Sequence, residues 1–364
     1  MIIHNILINI FLAICLSGCG GGSGGTTPAA VTPVVPVNVS QKGNRILSID
    51  LSEAEDADYD AAFATATSTG MQATGLPLNW SDLETAVGVY DNTYLAIANS
   101  YYPPKNIAIS LSLRTINTNK KEVPTDLSTK GFDDPEMIDR FKKLLDFVFS
   151  EIPNLELNSL SIGNEIDAYL GMDKIKWAQY RTFYEAVSAY ARSKRANLKI
   201  GAKATYAGIT GTMSDEHIAL NKFSDIIMTT YYPLNSDFTV KQPGVISNEF
   251  KTLIDLYPAK PIYFMELGYP SGALCNSSET LQGDFISEVF TSWDKYKDRI
   301  QFISFTWLND IAPSAVQDLI SYYGYSDPIF YEYLATLGLR TYTGSGVDKK
   351  AFAQLKAEAK QRGW

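Results

Sequence analysis

Short apolar runs rich in Ile, Val, Leu and Phe alternate with longer amphipathic stretches from Arg45 to the end of the chain. Strands of a parallel sheet are covered on both faces, so they read as continuous apolar runs and not as strict apolar–polar alternation. The apolar runs therefore predict eight buried parallel strands. They lie at residues 46–51, 71–78, 107–113, 157–162, 199–204, 226–231, 261–267 and 301–307.

Amphipathic helices are predicted between these strands, because apolar residues recur there with a period of about 3.6. Asp134 followed by Pro135 is typical of a helix start, Ser278 is a typical N-cap, and a third helical pattern covers residues 177–192. Eight strands alternating with helices predict an α/β fold, a single (β/α)8 TIM barrel. The alternative is an open doubly wound sheet, but its first strand would normally be followed by a Gly-rich phosphate turn, which residues 49–53 do not form.

An apolar stretch at residues 6–16 opens the chain and is too short to span a bilayer. Such a stretch is typical of a secretory signal peptide. Its end, Leu16-Ser17-Gly18-Cys19, resembles the lipobox of bacterial lipoproteins. The resemblance implies cleavage after residue 18 and a lipid on Cys19. A plain secretory signal with an incidental Cys is the alternative.

The resemblance to lipoproteins divides the chain into three parts. Residues 1–18 would be the signal peptide, 19–44 a lipidated Cys with a Gly/Pro/Thr-rich flexible linker, and 45–364 the folded domain. We therefore expect a protein of the bacterial cell envelope. It would be anchored in the outer or the cytoplasmic membrane by the lipid on Cys19 and would face outside the cytoplasm.

Composition narrows the chemistry further. With 40 acidic and 31 basic residues the net charge is −9, which argues against a nucleic-acid partner. Loss of residues 1–18 would leave His217 as the only histidine, so a His-rich metal site is excluded, and His217 itself is expected in a surface loop. Cys275 would be the only thiol besides Cys19, so we expect no disulfide, no metal and no cofactor.

Carboxylates are the remaining candidates for catalysis. Functional residues of a TIM barrel lie where its strands end, and Glu165 and Glu266 follow strands four and seven. These strands lie roughly across the barrel mouth from each other, so the two side chains can flank one ligand. A pair of carboxyl groups in this arrangement is what cleavage of a glycosidic bond requires, one as acid and one acting at the anomeric carbon.

The segments around these residues resemble clan A glycoside hydrolases, and most closely glycoside hydrolase family 53, the arabinogalactan endo-β-1,4-galactanases. The resemblance is carried by residues 162–166 (IGNEI), 223–225 (FSD), 230–233 (TYYP) and 266–270 (ELGYP). Strands two and eight depart from the family pattern. Because those strands shape the sugar subsites, the resemblance supports the clan and its retaining mechanism better than a galactan substrate.

Position by position, the resemblance implies roles for four residues. Glu165 would be the acid/base, Glu266 the nucleophile, and Asn164 a donor to the sugar 2-hydroxyl. Tyr231 would lie beside the nucleophile and hold it in place. Since neighbours on a strand point to opposite sides, only one of Tyr231 and Tyr232 can face the ligand.

Three further residues are candidate substrate contacts with open alternatives. Trp80 and Trp307 follow strands two and eight, where a ring face can stack on a sugar, but either Trp can instead belong to the core. Arg114 follows strand three and can bind substrate or support a Glu, or form a surface salt bridge. Asp50, after strand one, is expected to have a cap or loop role, with a contact to sugar hydroxyls as the alternative.

The sequence therefore favours a retaining glycoside hydrolase that cleaves a β-linked oligo- or polysaccharide by double displacement through two Glu residues. One alternative is a non-catalytic glycan-binding surface lipoprotein, which would bind the same carbohydrates without turnover. Another is a transglycosylase on the same scaffold.

Overall fold

Strands of a parallel barrel make up the centre of the computed structural model, which describes residues 39–364. The predicted signal peptide and Cys19 lie outside the described residues. The strands are β1 (Ile46–Ile49), β2 (Ala73–Asn79), β3 (Glu84–Ala86), β4 (Val89–Tyr90), β5 (Ala108–Asn117), β6 (Lys120–Lys121), β7 (Leu157–Asn164), β8 (Ile200–Gly201), β9 (Lys203–Thr205), β10 (Ile227–Tyr231), β11 (Ile262–Leu267) and β12 (Ile300–Phe305).

Parallel pairing gives the order β8-β7-β5-β2-β1-β12-β11-β10-β9. Since β8 and β9 are two pieces of one strand position on either side of Ala202, the two ends of this order meet and the sheet closes. Eight strand positions therefore form the predicted (β/α)8 barrel. The short strands β3, β4 and β6 lie outside this ring; β3 pairs only with β4, and β6 pairs with the end of β5.

Helices surround the barrel and include the three that the sequence predicts. They are α1 (Tyr59–Thr67), α2 (Trp80–Leu83), α3 (Thr93–Tyr101), α4 (Pro135–Glu151), α5 (Ile166–Leu170), α6 (Lys174–Lys194), α7 (Tyr206–Thr210), α8 (Ser214–Asn221), α9 (Ile246–Leu256), α10 (Glu279–Lys295), α11 (Pro313–Tyr323), α12 (Pro328–Ala335) and α13 (Lys350–Gln361). Asp134 and Ser278 cap α4 and α10 through their side chains, as expected. Within residues 39–364, no helix is both long and apolar enough to cross a membrane.

Alternation along the strands separates an apolar outer layer from a more polar interior. On β5, Leu111 and Leu113 belong to the large core shared with the helices, whereas Ser110 and Ser112 line a cavity together with residues of other strands. A small apolar cluster fills part of the interior, contributed by Ala73, Ile226, Met228, Tyr263, Met265 and Phe302. The small serines leave room inside the barrel, and charged side chains occupy the interior near the carboxyl ends of the strands.

Candidate active site

Glu165 reaches the barrel mouth through an unusual backbone at the end of β7. Gly163 has φ +82°, and a Cβ at this position would lie 2.5 Å from the Tyr180 hydroxyl, so only glycine fits. Glu165 itself is left-handed, with φ +45°. These two residues interrupt the alternation of the strand, so that Asn164 and Glu165 both lie buried at the mouth although they are neighbours.

The Glu165 carboxyl group is surrounded by neutral hydroxyl donors. Thr118 Oγ1 donates to Oε2 and Thr230 Oγ1 donates to Oε1, each at 2.8 Å. Burial raises the pKa of Glu165 to about 8, and the charges of Glu266 and Asp167 add to the increase, while the two threonine hydrogen bonds oppose it. Glu165 is therefore largely protonated at neutral pH and can act as a proton donor.

Glu266 enters the site through a β-bulge in β11. The register of β11 against its neighbours shifts between Phe264 and Leu267, so Met265 and Glu266 both turn toward the interior. Lys203 Nζ donates to Glu266 Oε1 at 2.6 Å, and Tyr232 Oη donates to Oε2 at 2.9 Å. The buried ion pair with Lys203 compensates the negative charge of Glu266 and leaves it available as a nucleophile.

Thr230 connects the two carboxylates. On the sheet it lies in register with Glu266 on the neighbouring strand, and its hydroxyl donates to Glu165. Adjacent strands are about 4.8 Å apart. Thr230 therefore binds the Glu165 carboxyl group from the strand position next to Glu266, and the Glu266 charge acts on Glu165.

Two further charges lie in the interior near Glu266. Asp50 accepts hydrogen bonds from Ser304 (3.0 Å) and Thr306 (2.9 Å), and burial followed by the Glu266 charge raises its pKa to about 6. Arg114 is completely buried, and burial lowers its pKa while the Glu266 charge raises it. Lys203 and Arg114 are therefore the cationic side chains that lie among the carboxyl groups of Glu266 and Asp50.

A cavity of about 270 Å³ extends from this charged cluster toward α1 and α3. Asp50, Lys203 and Trp307 line it together with serines of the barrel interior, whereas its wall toward α1 and α3 is aromatic and aliphatic. The wall consists of Tyr59, Leu76, Leu78, Tyr94, Ile97, Ala98, Tyr101 and Tyr102. Polar groups at one end and aromatic faces along the walls suit a sugar, which carries hydroxyls around an apolar ring face.

Asn164 offers a further unoccupied acceptor. Its Nδ2 donates to Asn117 Oδ1 at 2.9 Å, while its Oδ1 is buried and has no hydrogen-bond partner among the described residues. A buried polar atom of this kind is costly unless a ligand pairs with it. Asn164 is thus placed to contact a ligand, through its carbonyl oxygen in this side-chain orientation.

Most of the expected site residues come together, but Tyr231 does not. Its ring packs outside the barrel against Phe250, and its hydroxyl donates to Glu249 at 2.6 Å. Tyr232, the next residue, contacts Glu266 instead. The prediction for Tyr231 is wrong because the inward side of β10 is the one that holds Thr230, which places Tyr231 on the outward side.

Trp80 is also not a sugar platform. It begins α2, is completely buried against Phe141 in the outer layer, and donates from Nε1 to Glu84 at 2.8 Å. The core alternative therefore holds for Trp80, because β2 ends at Asn79 and the chain turns outward there. Trp307, by contrast, lines the cavity.

The structure decides three further points, an open alternative for Arg114 and the expected roles of Asp50 and His217. Arg114 is not in a surface salt bridge, and Asp50 lies in the charged cluster and not in a cap. His217 is not in a surface loop: it lies on α8, packs against Trp177 and is fully buried, which lowers its pKa to about 3.

Lys203, Thr118 and Thr230 are the contacts that sequence reasoning missed, whereas Tyr232 was the alternative to Tyr231. Lys203 had a detectable signal, since a charged residue flanked by buried small and apolar residues of a strand requires a partner in the interior. Thr118, which follows β5 with φ +54°, had none. Within residues 39–364 no group of three or more His, Cys, Asp or Glu side chains is placed to hold a metal ion.

Solved structures with a similar fold include glycoside hydrolases of several families. The chain resembles an exo-β-1,4-mannosidase from Opitutaceae bacterium strain TAV5 with 15% identity, covering 91% of this chain and 62% of that chain at a TM-score of 0.66. It resembles a GH5_18 protein from Bifidobacterium longum subsp. infantis with 14% identity, covering 87% of this chain and 79% of that chain at a TM-score of 0.64. It also resembles a family 39 glycoside hydrolase from Bacteroides cellulosilyticus WH2 with 13% identity, covering 88% of this chain and 64% of that chain at a TM-score of 0.61.

The chain thus spans less than two thirds of the mannosidase and of the family 39 protein. At these identities the likeness establishes a shared (β/α)8 fold. No protein-family model matches the chain. Curated proteins show no significant match to it either.

Proposed function

We propose that the protein is a retaining glycoside hydrolase of clan A that cleaves β-linked glycans. The observation that carries this proposal is the contrast between two buried carboxyl groups at one point of the barrel mouth. Glu165 is surrounded by hydroxyls and has its pKa raised to about 8, whereas Glu266 forms an ion pair with Lys203. One is equipped to give a proton and the other to attack, as a retaining mechanism requires.

The reaction would proceed in two displacements. Glu266 attacks the anomeric carbon while Glu165 donates its proton to the leaving glycosidic oxygen, which gives a covalent glycosyl ester on Glu266. Glu165, now ionised, takes a proton from water as that water attacks the same carbon, and Glu266 leaves. Glu165 ends protonated again, so the cycle closes without a cofactor.

For the substrate we propose a β-1,4-linked neutral glycan, galactan-like in the first instance. The family 53 resemblance of residues 162–166 and 266–270 supports galactan. The structural neighbours named as an exo-β-1,4-mannosidase and as a GH5_18 protein in complex with Manβ1-4GlcNAc support related β-1,4 linkages. The cavity beside Asp50 and Trp307 has a volume suited to about one sugar ring.

The proposal is tested on galactan, arabinogalactan, mannan and β-glucan, scored by product length and by the anomeric configuration of new reducing ends. We expect a β-configured product that equilibrates with time, and loss of nearly all turnover in Glu266→Gln and, separately, in Glu165→Gln. Inverted products, or full activity in both variants, would overturn it. Tight binding without products would favour the non-catalytic glycan-binding protein, and products longer than the substrate would favour transglycosylation.

We also propose that Cys19 carries the lipid that anchors the protein in the bacterial cell envelope, with the barrel outside the cytoplasm. The lipobox-like Leu16-Ser17-Gly18-Cys19 supports this. Labelling with radioactive palmitate should mark the native chain and not Cys19→Ala, and the variant should leave the membrane fraction. Equal labelling of both would contradict it.

A further inference from the structure

Helices α11 and α12, which follow β12, close over the barrel mouth on the side of Asn164. The Tyr322 hydroxyl at the end of α11 donates to Glu122 Oε1 at 2.7 Å and accepts from Asn117 Nδ2 at 3.1 Å. Asn119 Nδ2 also donates to the Tyr323 carbonyl at 3.3 Å. Since Asn117 in turn accepts from Asn164, a chain of hydrogen bonds joins this helical pair to the site.

Tyr333 of α12 extends from this helical pair into the site. Its side chain is completely buried. The Tyr333 ring packs edge-to-face on the Tyr232 ring, with ring centres 5.9 Å apart, and Tyr232 holds Glu266. Phe238 and Phe330 pack against the ring of Tyr333. Only one aromatic ring therefore separates Tyr333 from the candidate nucleophile.

The hydroxyl of Tyr333 has no hydrogen-bond partner in the described part of the chain. The packing around its ring would accept phenylalanine equally well, and a buried hydroxyl without a partner destabilises the fold relative to that residue. Burial and the charges of Glu165 and Glu266 raise the pKa of Tyr333 well above its usual value, so the hydroxyl keeps its proton and is a donor. The Tyr333 hydroxyl, near the carboxyl groups of Glu165 and Glu266, therefore does not stabilise the fold through any hydrogen bond among the described residues.

We propose that Tyr333 is a substrate-binding residue, whose hydroxyl donates a hydrogen bond to the sugar that lies between Glu165 and Glu266. This inference rests on the proposed function. The unpartnered Asn164 Oδ1 marks a second hydrogen-bonding position for the same sugar. The α11–α12 pair is then part of the substrate site, and the sugar satisfies two polar atoms that the protein leaves without partners.

Tyr333→Phe separates a substrate contact from a structural role. We expect kcat/KM to fall about tenfold on the best glycan of the panel, because one hydrogen bond to the substrate is lost. The melting temperature should stay the same or rise, since no hydrogen bond within the protein is lost. A lower melting temperature, or native kcat/KM, would overturn the proposal.

Tyr257→Phe is the matched control. Tyr257 is also buried, but its hydroxyl accepts from Asn221 Nδ2 at 3.1 Å and none of its contacts reaches Glu165 or Glu266. We expect the opposite signature, a lower melting temperature with unchanged kcat/KM. The same loss of activity in both variants would show that the Tyr333 effect is not specific.

Binding measurements distinguish this proposal from the proposed function. In the Glu266→Gln background, calorimetry with β-1,4-galactotetraose, β-1,4-mannotetraose and cellotetraose should show about tenfold weaker binding when Tyr333→Phe is added. If the native protein cleaves nothing but this difference remains, the hydrolase is wrong and the Tyr333 contact stands. Equal affinity with and without Tyr333→Phe, or no binding of any tetrasaccharide, would overturn the contact.

Discussion

Glu165 and Glu266 are both completely buried, yet the regions around them differ in the kind of donor that reaches each carboxylate. Around Glu165 the donors are the neutral hydroxyls of Thr118 and Thr230. The pKa of Glu165 is raised to about 8, so it keeps its proton at neutral pH. Around Glu266 the donors are an ammonium group and a phenol. Burial raises the pKa of Glu165, whereas Glu266 is paired with the ammonium group of Lys203, so the two surroundings differ in local charge.

The comparison shows how one barrel can assign different roles to chemically identical side chains. β7 and β11 each present one Glu at the same mouth, and the roles follow from what the neighbouring strands contribute. β9 supplies Lys203 to Glu266, whereas β10 supplies Thr230 to Glu165. Changing one donor at a time should therefore alter one role and leave the other in place.

Lys203→Met should have the largest effect on this contrast. It leaves Glu266 buried without its cation, and we expect kcat/KM to fall by about a hundredfold or more, because an electrostatic contact to the reacting group is lost. Breaking a buried ion pair also costs about 3–5 kcal/mol of unfolding free energy. Kinetics and urea denaturation measure the two effects on the same preparation.

Lys349→Met separates these two effects. Lys349 is an equally buried lysine that pairs with Asp310 at 2.7 Å, and none of its contacts reaches Glu165 or Glu266. We expect a similar loss of stability with kcat/KM unchanged for the folded protein. If both variants lose the same activity, Lys203 acts through stability alone and the contrast between the two Glu environments loses its catalytic meaning.

The barrel was predictable from sequence because its buried strands are long enough to show as apolar runs. The position of both Glu residues follows directly, since each ends such a run. The side of the strand on which an individual residue lies was harder to predict. The residue pattern alone could not decide which of Tyr231 and Tyr232 faces the barrel interior, because apolar residues lie on both sides of a buried strand.

The contacts that define the two Glu environments depend on distances along the chain that no local pattern reports. Lys203 lies 63 residues from Glu266, and Thr118 lies 47 residues from Glu165. Tyr333 lies on a helix after β12 that carries many aromatic residues and no strand pattern. The position of Tyr333 near the barrel mouth depends on the tertiary fold and not on a local sequence pattern. The contact of Trp80 is local by contrast, since its hydrogen-bond partner Glu84 is only four residues away.

Tyr232→Phe and Tyr231→Phe compare the two sides of one strand. Tyr232→Phe removes a donor to the charged nucleophile and should reduce kcat/KM about tenfold to a hundredfold. Tyr231→Phe removes a hydrogen bond to Glu249 outside the barrel and should cost about 1 kcal/mol of stability with native kcat/KM. The reverse result would restore the original expectation that Tyr231 holds the nucleophile.

Thr230→Val should have the smallest effect and act on Glu165 alone. As a general acid, Glu165 must be protonated, so activity should fall as pH rises through its pKa of about 8. The Thr230 hydrogen bond lowers this pKa by stabilising the ionised form. Removing it raises the pKa, and the alkaline limb of the kcat/KM profile should move upward by less than about one pH unit.

The neighbouring Thr229→Val is the control for this shift. Thr229 is as buried as Thr230, but its hydroxyl donates to the Thr230 carbonyl and reaches neither carboxylate. Its alkaline limb should stay where the native one lies. A downward shift in Thr230→Val, or equal shifts in both variants, would mean that the alkaline limb does not report Glu165. The assignment of Glu165 as the acid would then lose its support, because that assignment depends on Glu165 being protonated at neutral pH.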